Sequence, residues 1–116
     1  AIATPYIDEV NQLEKAFMEE SGFEVTDIKG LSLVDTDKMP EVPSEKMYRL
    51  AKEVFTQNAD AIFISCAGLF VIDIIESLEK ELKRPVITSN QASLWAALRK
   101  INVNDKISGF GKLFQM

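Results

Sequence analysis

The groups able to move a proton near neutral pH are few in this chain: of 116 residues one is cysteine, two are tyrosine and none is histidine. Cys66 is the most informative of them, because it follows the apolar run Ala61-Ile62-Phe63-Ile64 and precedes Ala67-Gly68. A thiol at the carboxyl end of a buried strand, with the next helix expected to open at Gly68, meets unpaired N–H groups and the positive end of a helix dipole. Both lower a thiol pKa and favour the reactive thiolate. The competing reading is a small core residue, the common fate of a lone cysteine. Tyr6 offers its phenol to a developing oxyanion, or packs as a first-turn aromatic on the sheet rim. Ser65, Thr88, Ser89 and Asn90 suit a carboxylate through hydroxyls, amide and helix N-terminal N–H groups, and they equally suit helix capping. Asp35 and Asp37 have no third ligand in regular spacing, so they read as a solvated loop and no metal is expected. Trp95 and Met47 stand at helical spacing and read as core.

The elements that must position these groups alternate along the chain. Ala1 to Ala3 reads as a short buried strand, with Thr4 as N-cap and Pro5 at the first position of a helix whose Tyr6, Val10, Leu13 and Phe17 recur on one face. Phe23 to Leu31 reads as a strand near an edge, with Phe23, Val25 and Ile28 inward. Ser32 to Pro43 reads as a loop, after which Ser44 caps a helix with Met47, Leu50, Ala51 and Val54 inward. Ala61 to Ile64 is the continuous apolar run that a central parallel strand requires. The following helix is expected to turn Val71, Ile75, Leu78 and Leu82 inward, with Glu76–Lys80 and Glu79–Lys83 as ion pairs on its wet side. Pro85 to Thr88 is the fourth strand, and Ser89-Asn90-Gln91 leads into a helix with Leu94, Trp95, Leu98 and Ile101 apolar.

This β-α-β-α-β-α-β-α order predicts an α/β fold: a four-stranded parallel sheet with helices on both faces, a flavodoxin-like or Rossmann-like three-layer sandwich. The ligand site of such a sheet lies beyond the carboxyl ends of its strands. Thr4-Pro5-Tyr6, Leu31 to Asp37, Ser65 to Gly68 and Thr88 to Gln91 are therefore expected to meet there.

Composition narrows the function. With 47% hydrophobic and 27% charged residues the chain reads as one ordinary globular domain, 1–116. Its net charge of −5 disfavours nucleic acid and anionic membrane as partners. The longest uncharged stretch, Ala61 to Ile72, is too short to cross a bilayer. A single free thiol fits a reducing, cytoplasmic setting. Lacking histidine, the chain has no Ser-His or Cys-His relay of its own. A Cys-x5-Arg phosphatase loop would need Arg where Ile72 stands, and Gly109-Phe110-Gly111-Lys112 has Lys106 and Leu113 where a P-loop needs Gly and Ser or Thr. No G-x-G-x-x-G follows the first strand, so no dinucleotide or other cofactor is expected. The chain also opens at Ala1 inside an apolar segment, which suggests a piece of a longer protein.

Four segments together resemble a known group: Thr4-Pro5-Tyr6-Ile7-Asp8-Glu9-Val10-Asn11, Ser65-Cys66-Ala67-Gly68-Leu69 with Asp73, Pro85-Val86 with Ser89-Asn90-Gln91, and Gly109-Phe110-Gly111-Lys112-Leu113-Phe114. They look like the C-terminal half of the arylmalonate decarboxylase and maleate isomerase group, within the aspartate/glutamate racemase superfamily. The resemblance implies two similar α/β halves enclosing a small carboxylate substrate, with this chain as the second half and the missing N-terminal half as its partner. It implies Cys66 as proton donor or base, and Tyr6 with the Ala67 and Gly68 N–H groups as holders of the carboxylate and its enediolate-like intermediate. Ala67 is a departure, because many decarboxylases of the group are expected to have Gly there, and its methyl narrows the pocket for bulky aryl groups. Decarboxylase-like chemistry is the leading expectation. A maleate isomerase, an Asp/Glu-type racemase, or a non-catalytic module that binds a carboxylate or a partner subunit are the alternatives, and a homodimer is a further expectation.

Overall fold

Short apolar strands separated by amphipathic helices set the architecture. The computed structural model describes all 116 residues, in the order β1 (Ile2–Thr4), α1 (Asp8–Glu20), β2 (Ile28–Gly30), α2 (Ser44–Val54), β3 (Ile62–Ile64), α3 (Ile75–Leu82), β4 (Val86–Thr88) and α4 (Ser89–Lys100). Short 3₁₀ segments at Thr36–Glu41, Ile72–Ile74 and Lys112–Gln115 punctuate the connections. The four strands form one parallel sheet in the order β2-β1-β3-β4, with β2 on the edge as expected.

Strand register divides the core. Ala3 pairs with Ile64 and Ile64 with Thr88, so these residues share a face with Ile62 and Val86. On that face Met47, Leu50, Ala51 and Val54 of α2 and Ile75 and Leu78 of α3 complete the main hydrophobic cluster. All four residues expected inward on α2 are buried, as are Val71, Ile75 and Leu78, while Leu82 packs at the edge of the cluster. On the opposite face lie Ile2, Phe63 and Ile87, with α1 against β2 and α4 against β4. These two helices leave an apolar cleft of about 650 Å³ between them, lined by Ile2, Met18, Phe23, Phe63, Ile87 and Ala92 among others.

Several local expectations are corrected. Thr4 is not an N-cap: it ends β1, and α1 begins at Asp8 with Ile7 in the cap position and no side-chain cap. The helix is therefore rotated relative to its apolar stripe. Leu13 and Phe17 are 72% and 65% exposed, and the residue that α1 buries is Asn11. Phe23 is also exposed, because β2 is paired only from Ile28 to Gly30. Ser44 is the first residue of α2 and its hydroxyl donates to Asp73 Oδ2 at 2.9 Å instead of capping its own helix. The Asp35 side chain accepts the Asp37 N–H at 3.0 Å and caps the Thr36–Glu41 turn. Glu79 forms no pair with Lys83. Its carboxylate takes the N–H groups of Val86 and Lys112, tying the C-terminal segment to the start of β4. Gly111 is needed at that tie, since a Cβ there would stand 2.6 Å from Ile75 Cγ2. On α4, Leu94 and Ile101 are exposed and Trp95 is only half-buried, so the apolar residues of that helix do not form core; Met47 does.

Candidate active site at the carboxyl ends of the strands

The segments expected to meet beyond the strands do meet. Past β1, Tyr6 is held by its own backbone: its N–H donates to Thr4 Oγ1 at 3.1 Å and its carbonyl accepts the Ser32 N–H at 3.1 Å. Thr4 is fully buried, and its hydroxyl in turn donates to Asn11 Oδ1 at 2.5 Å. Gly30 makes this arrangement fit, because a Cβ there would come within 2.2 Å of the Tyr6 carbonyl, 2.6 Å of Asn11 Nδ2 and 2.9 Å of Thr4 Oγ1. Asn11 and Gly30 belong to the support of the site and were not singled out from the sequence. An Asn one turn inside a helix, with a Thr at the preceding strand end, is the unused signal by which the Thr4–Asn11 pair could have been found.

Past β3, Ser65 donates its N–H to Ala3 O at 3.0 Å and extends the sheet by one rung. Cys66 then turns sharply, with φ of +150°, a conformation unusual for a residue other than glycine. Its N–H donates to Ser89 Oγ at 3.1 Å, and its Sγ accepts the Gly68 N–H at 3.3 Å. Asn90 closes the same loop by donating from Nδ2 to the Ala67 carbonyl at 3.0 Å. Cys66 is 9% exposed, so its sulfur lies just beneath the surface. No helix begins beside it: the chain goes on through Leu69 and Val71, both buried, and α3 starts only at Ile75. The helix-dipole argument for Cys66 therefore fails, and the donor on its sulfur is a single loop N–H.

Past β4, Thr88 and Gln91 form a capping box: Thr88 Oγ1 accepts the Gln91 N–H and Gln91 Oε1 accepts the Thr88 N–H. Capping is thus the role of Thr88, whereas Ser89 and Asn90 both reach across to the Cys66 loop. Ala67 is exposed and its N–H has no partner within the chain, while the Gly68 N–H is already engaged by sulfur. Ser65, Cys66, Ala67, Gly68, Ser89 and Asn90 thus form one bonded loop system, and Tyr6 stands beside it.

Electrostatics tie Tyr6 to this loop. Burial raises the Tyr6 phenol to about 12, the neighbouring Cys66 thiol and Glu14 carboxylate reinforce the rise, and the Ser65 hydroxyl offsets part of it. The phenol is therefore a lasting proton donor at neutral pH. Glu14, on α1, is also raised, by burial foremost, with the Ser65 hydroxyl opposing. Sequence reasoning missed Glu14, which looks like one more charge on a wet helix face. A donor phenol, a thiol and an unengaged backbone N–H at one rim can stabilise negative charge on a carboxylate and exchange a proton with an adjacent carbon.

A family model described as arylmalonate decarboxylase matches residues 1–114. The chain is 33% identical to arylmalonate decarboxylase from Bordetella bronchiseptica, over 98% of this chain and 49% of that protein. It is 26% identical to maleate isomerase from Nocardia farcinica, over 99% of this chain and 46% of that protein. The solved structure of Nocardia farcinica maleate cis-trans isomerase bound to TRIS superposes with a TM-score of 0.95 at 23% identity, covering 98% of this chain and 47% of that one, which shows a shared fold. The chain spans about half the length of the curated relatives it matches.

Proposed function

The chain belongs to the arylmalonate decarboxylase family, and from that membership we propose that it is the Cys66-bearing second half of a two-half enzyme doing cofactor-free acid/base chemistry on a small carboxylic acid in the cytoplasm. The relatives are a decarboxylase and an isomerase, so the kind of chemistry is shared between two outcomes. The higher identity to the decarboxylase favours decarboxylation of a malonate-type diacid. One observation carries the reading: Cys66 sits on a strained turn just past β3, its loop tied to Ser89 and Asn90, with the Tyr6 phenol beside it pushed up to about 12.

In this mechanism the substrate carboxylate that stays is held by the Tyr6 hydroxyl and the N–H of Ala67, with Gly68, Ser65 and Asn90 shaping the loop around it. The bond from the α-carbon to the other carboxylate breaks and carbon dioxide leaves. The electron pair of that bond spreads into the remaining carboxylate as an enediolate, whose oxygens the preorganised donors stabilise. The Cys66 thiol then gives its proton to the α-carbon, forming the monoacid, and the thiolate regains a proton from water. The companion half supplies the opposite wall. With an inert residue facing Cys66 only this outcome is open; a second thiol there would allow isomerase or racemase chemistry.

The test is to join this chain to the half of the Bordetella bronchiseptica enzyme that it does not match, and to assay arylmalonate and maleate. Cys66→Ser is expected to lower decarboxylation by several powers of ten, as loss of the one proton donor requires, and Tyr6→Phe by about 10²–10³. Normal decarboxylation by the Cys66→Ser protein overturns the role of Cys66. Isomerised maleate with arylmalonate untouched overturns the decarboxylase assignment.

A further inference from the structure

The terminal motif Gly109-Phe110-Gly111-Lys112-Leu113-Phe114 has no part in the mechanism above, yet it is bonded to the helix that carries Ser89 and Asn90. Gln91 makes the link. Its side chain is buried and has both ends engaged: Oε1 accepts the Thr88 N–H at 3.0 Å, and Nε2 donates to the Phe110 carbonyl at 2.5 Å. A capping box needs only the first of these bonds. The second ties the opening turn of α4 to a segment 19 residues further along the chain. That segment is itself anchored, since the Lys112 N–H donates to both oxygens of Glu79 at 3.0 Å, Gly111 (φ of +82°) lies too close to Ile75 to carry a Cβ, and Phe114 is buried. Glu79 also takes the Val86 N–H, so the anchor reaches the start of β4.

We propose that Gln91 is a positioning residue for the Cys66 loop, and that residues 109–114 are the strap against which it is fixed. The inference rests on the functional reading given above. Cys66 holds a backbone angle, φ of +150°, that L side chains rarely adopt, and such a conformation persists only where its surroundings over-determine it. Two side chains hold this loop from α4: the Ser89 hydroxyl accepts the Cys66 N–H, and the Asn90 amide donates to the Ala67 carbonyl. Both stand on the first two residues of that helix. The unengaged Ala67 N–H lies between these two bonds along the chain, so they also aim the donor that the mechanism gives to the substrate carboxylate. A side chain places its partner only as well as its own backbone is placed. Gln91, the next residue, fixes that backbone to the strap.

Gln91→Glu separates the two bonds, because a carboxylate still accepts the Thr88 N–H but cannot donate to the Phe110 carbonyl. The chain has one cysteine, so iodoacetamide reports on Cys66 alone. Gln91→Glu is expected to speed its alkylation about tenfold as the loop opens locally. In the joined two-half protein the same change is expected to lower kcat for arylmalonate about tenfold, with KM held within about threefold. Should Gln91→Glu fail to fold, Gly111→Ala displaces the strap at its other anchor, leaves Gln91 intact and carries the same expectations. A cycle shows the route of action: with Ser89→Ala and Asn90→Ala in place, Gln91→Glu should change the alkylation rate less than about twofold, because its path to Cys66 is cut. A lowered melting temperature with unchanged alkylation overturns the proposal, as does a full tenfold effect in that background. Alkylation needs no turnover. Normal decarboxylation by the joined Cys66→Ser protein therefore overturns the functional reading and leaves the coupling of the strap to Cys66 standing.

Discussion

Cys66, Tyr6, Ser65 and Asn90 were legible because so few residues here can bear chemistry and the strand pattern brings them to one end of the sheet. Glu14 was not, since one acidic residue among five on α1 carries no mark of which face it occupies. Its environment makes a prediction about pH. The folded state raises its carboxyl above the ordinary 4.5, chiefly by burial, so the folded chain binds that proton more tightly than the unfolded chain does. Its favourable contribution to stability is therefore fully present below the unfolded value and is lost as pH rises through the folded value. Glu14→Gln, neutral throughout, should melt at a higher temperature than the parent at pH 7, with the difference closing as pH falls towards 4. Thermal melts across that range check this, and a variant less stable at every pH would contradict it.

At the scale of elements, hydrophobic spacing found every strand and every helix but misjudged orientation in α1. Val10, Leu13 and Phe17 repeat as a core stripe should, yet the helix starts at Asp8 and turns Asn11 inward, where it accepts the Thr4 hydroxyl. One buried polar bond thus outranks three apolar side chains in aiming the helix. Asn11→Ala would leave the fully buried Thr4 hydroxyl short of its acceptor and should cost about 1–3 kcal/mol, whereas Leu13→Ala should stay within about 0.5 kcal/mol. Denaturant melts of the chain by itself compare the two, and the reverse ranking would restore the apolar stripe as core. Gly30→Ala presses a methyl onto the Tyr6 backbone carbonyl and onto both members of that polar bond, whose side chains are buried and hydrogen-bonded to each other and so have little room to give way. A loss of about 1–3 kcal/mol, or more, is expected, seen as a melting point lowered by about 4 °C or more per kcal/mol. The Cys66–Ile75 connection was misread for a related reason: Leu69 and Val71 dip into the core before the chain can start a helix, and an apolar run cannot reveal whether it is helical or merely buried.

The parallel sheet follows from alternation and handedness, so the whole architecture was the most legible feature, but its two faces are unequal. The face under α2 and α3 is closed and holds the main cluster, whereas the face under α1 and α4 keeps an apolar cleft and exposes Leu13, Phe17, Leu94 and Ile101. Tyr6, Cys66 and Ala67 likewise stand at one rim of the sheet, so on the proposed reading they would meet a ligand from one side only. A carbon that loses carbon dioxide, or changes configuration, must be desolvated and oriented from both sides, and a single rim leaves its far side in water. The chain by itself, at half the length of its relatives, should therefore bind a small carboxylate weakly and show little or no turnover of arylmalonate or maleate. Steady-state assays of the purified chain over a dilution series check this. Activity that persists at every dilution would mean that one rim suffices and the division of labour between halves is wrong. Activity that falls with the square of concentration would mean that a second copy supplies the opposite wall, since only a dimer brings two Cys66 thiols to one substrate.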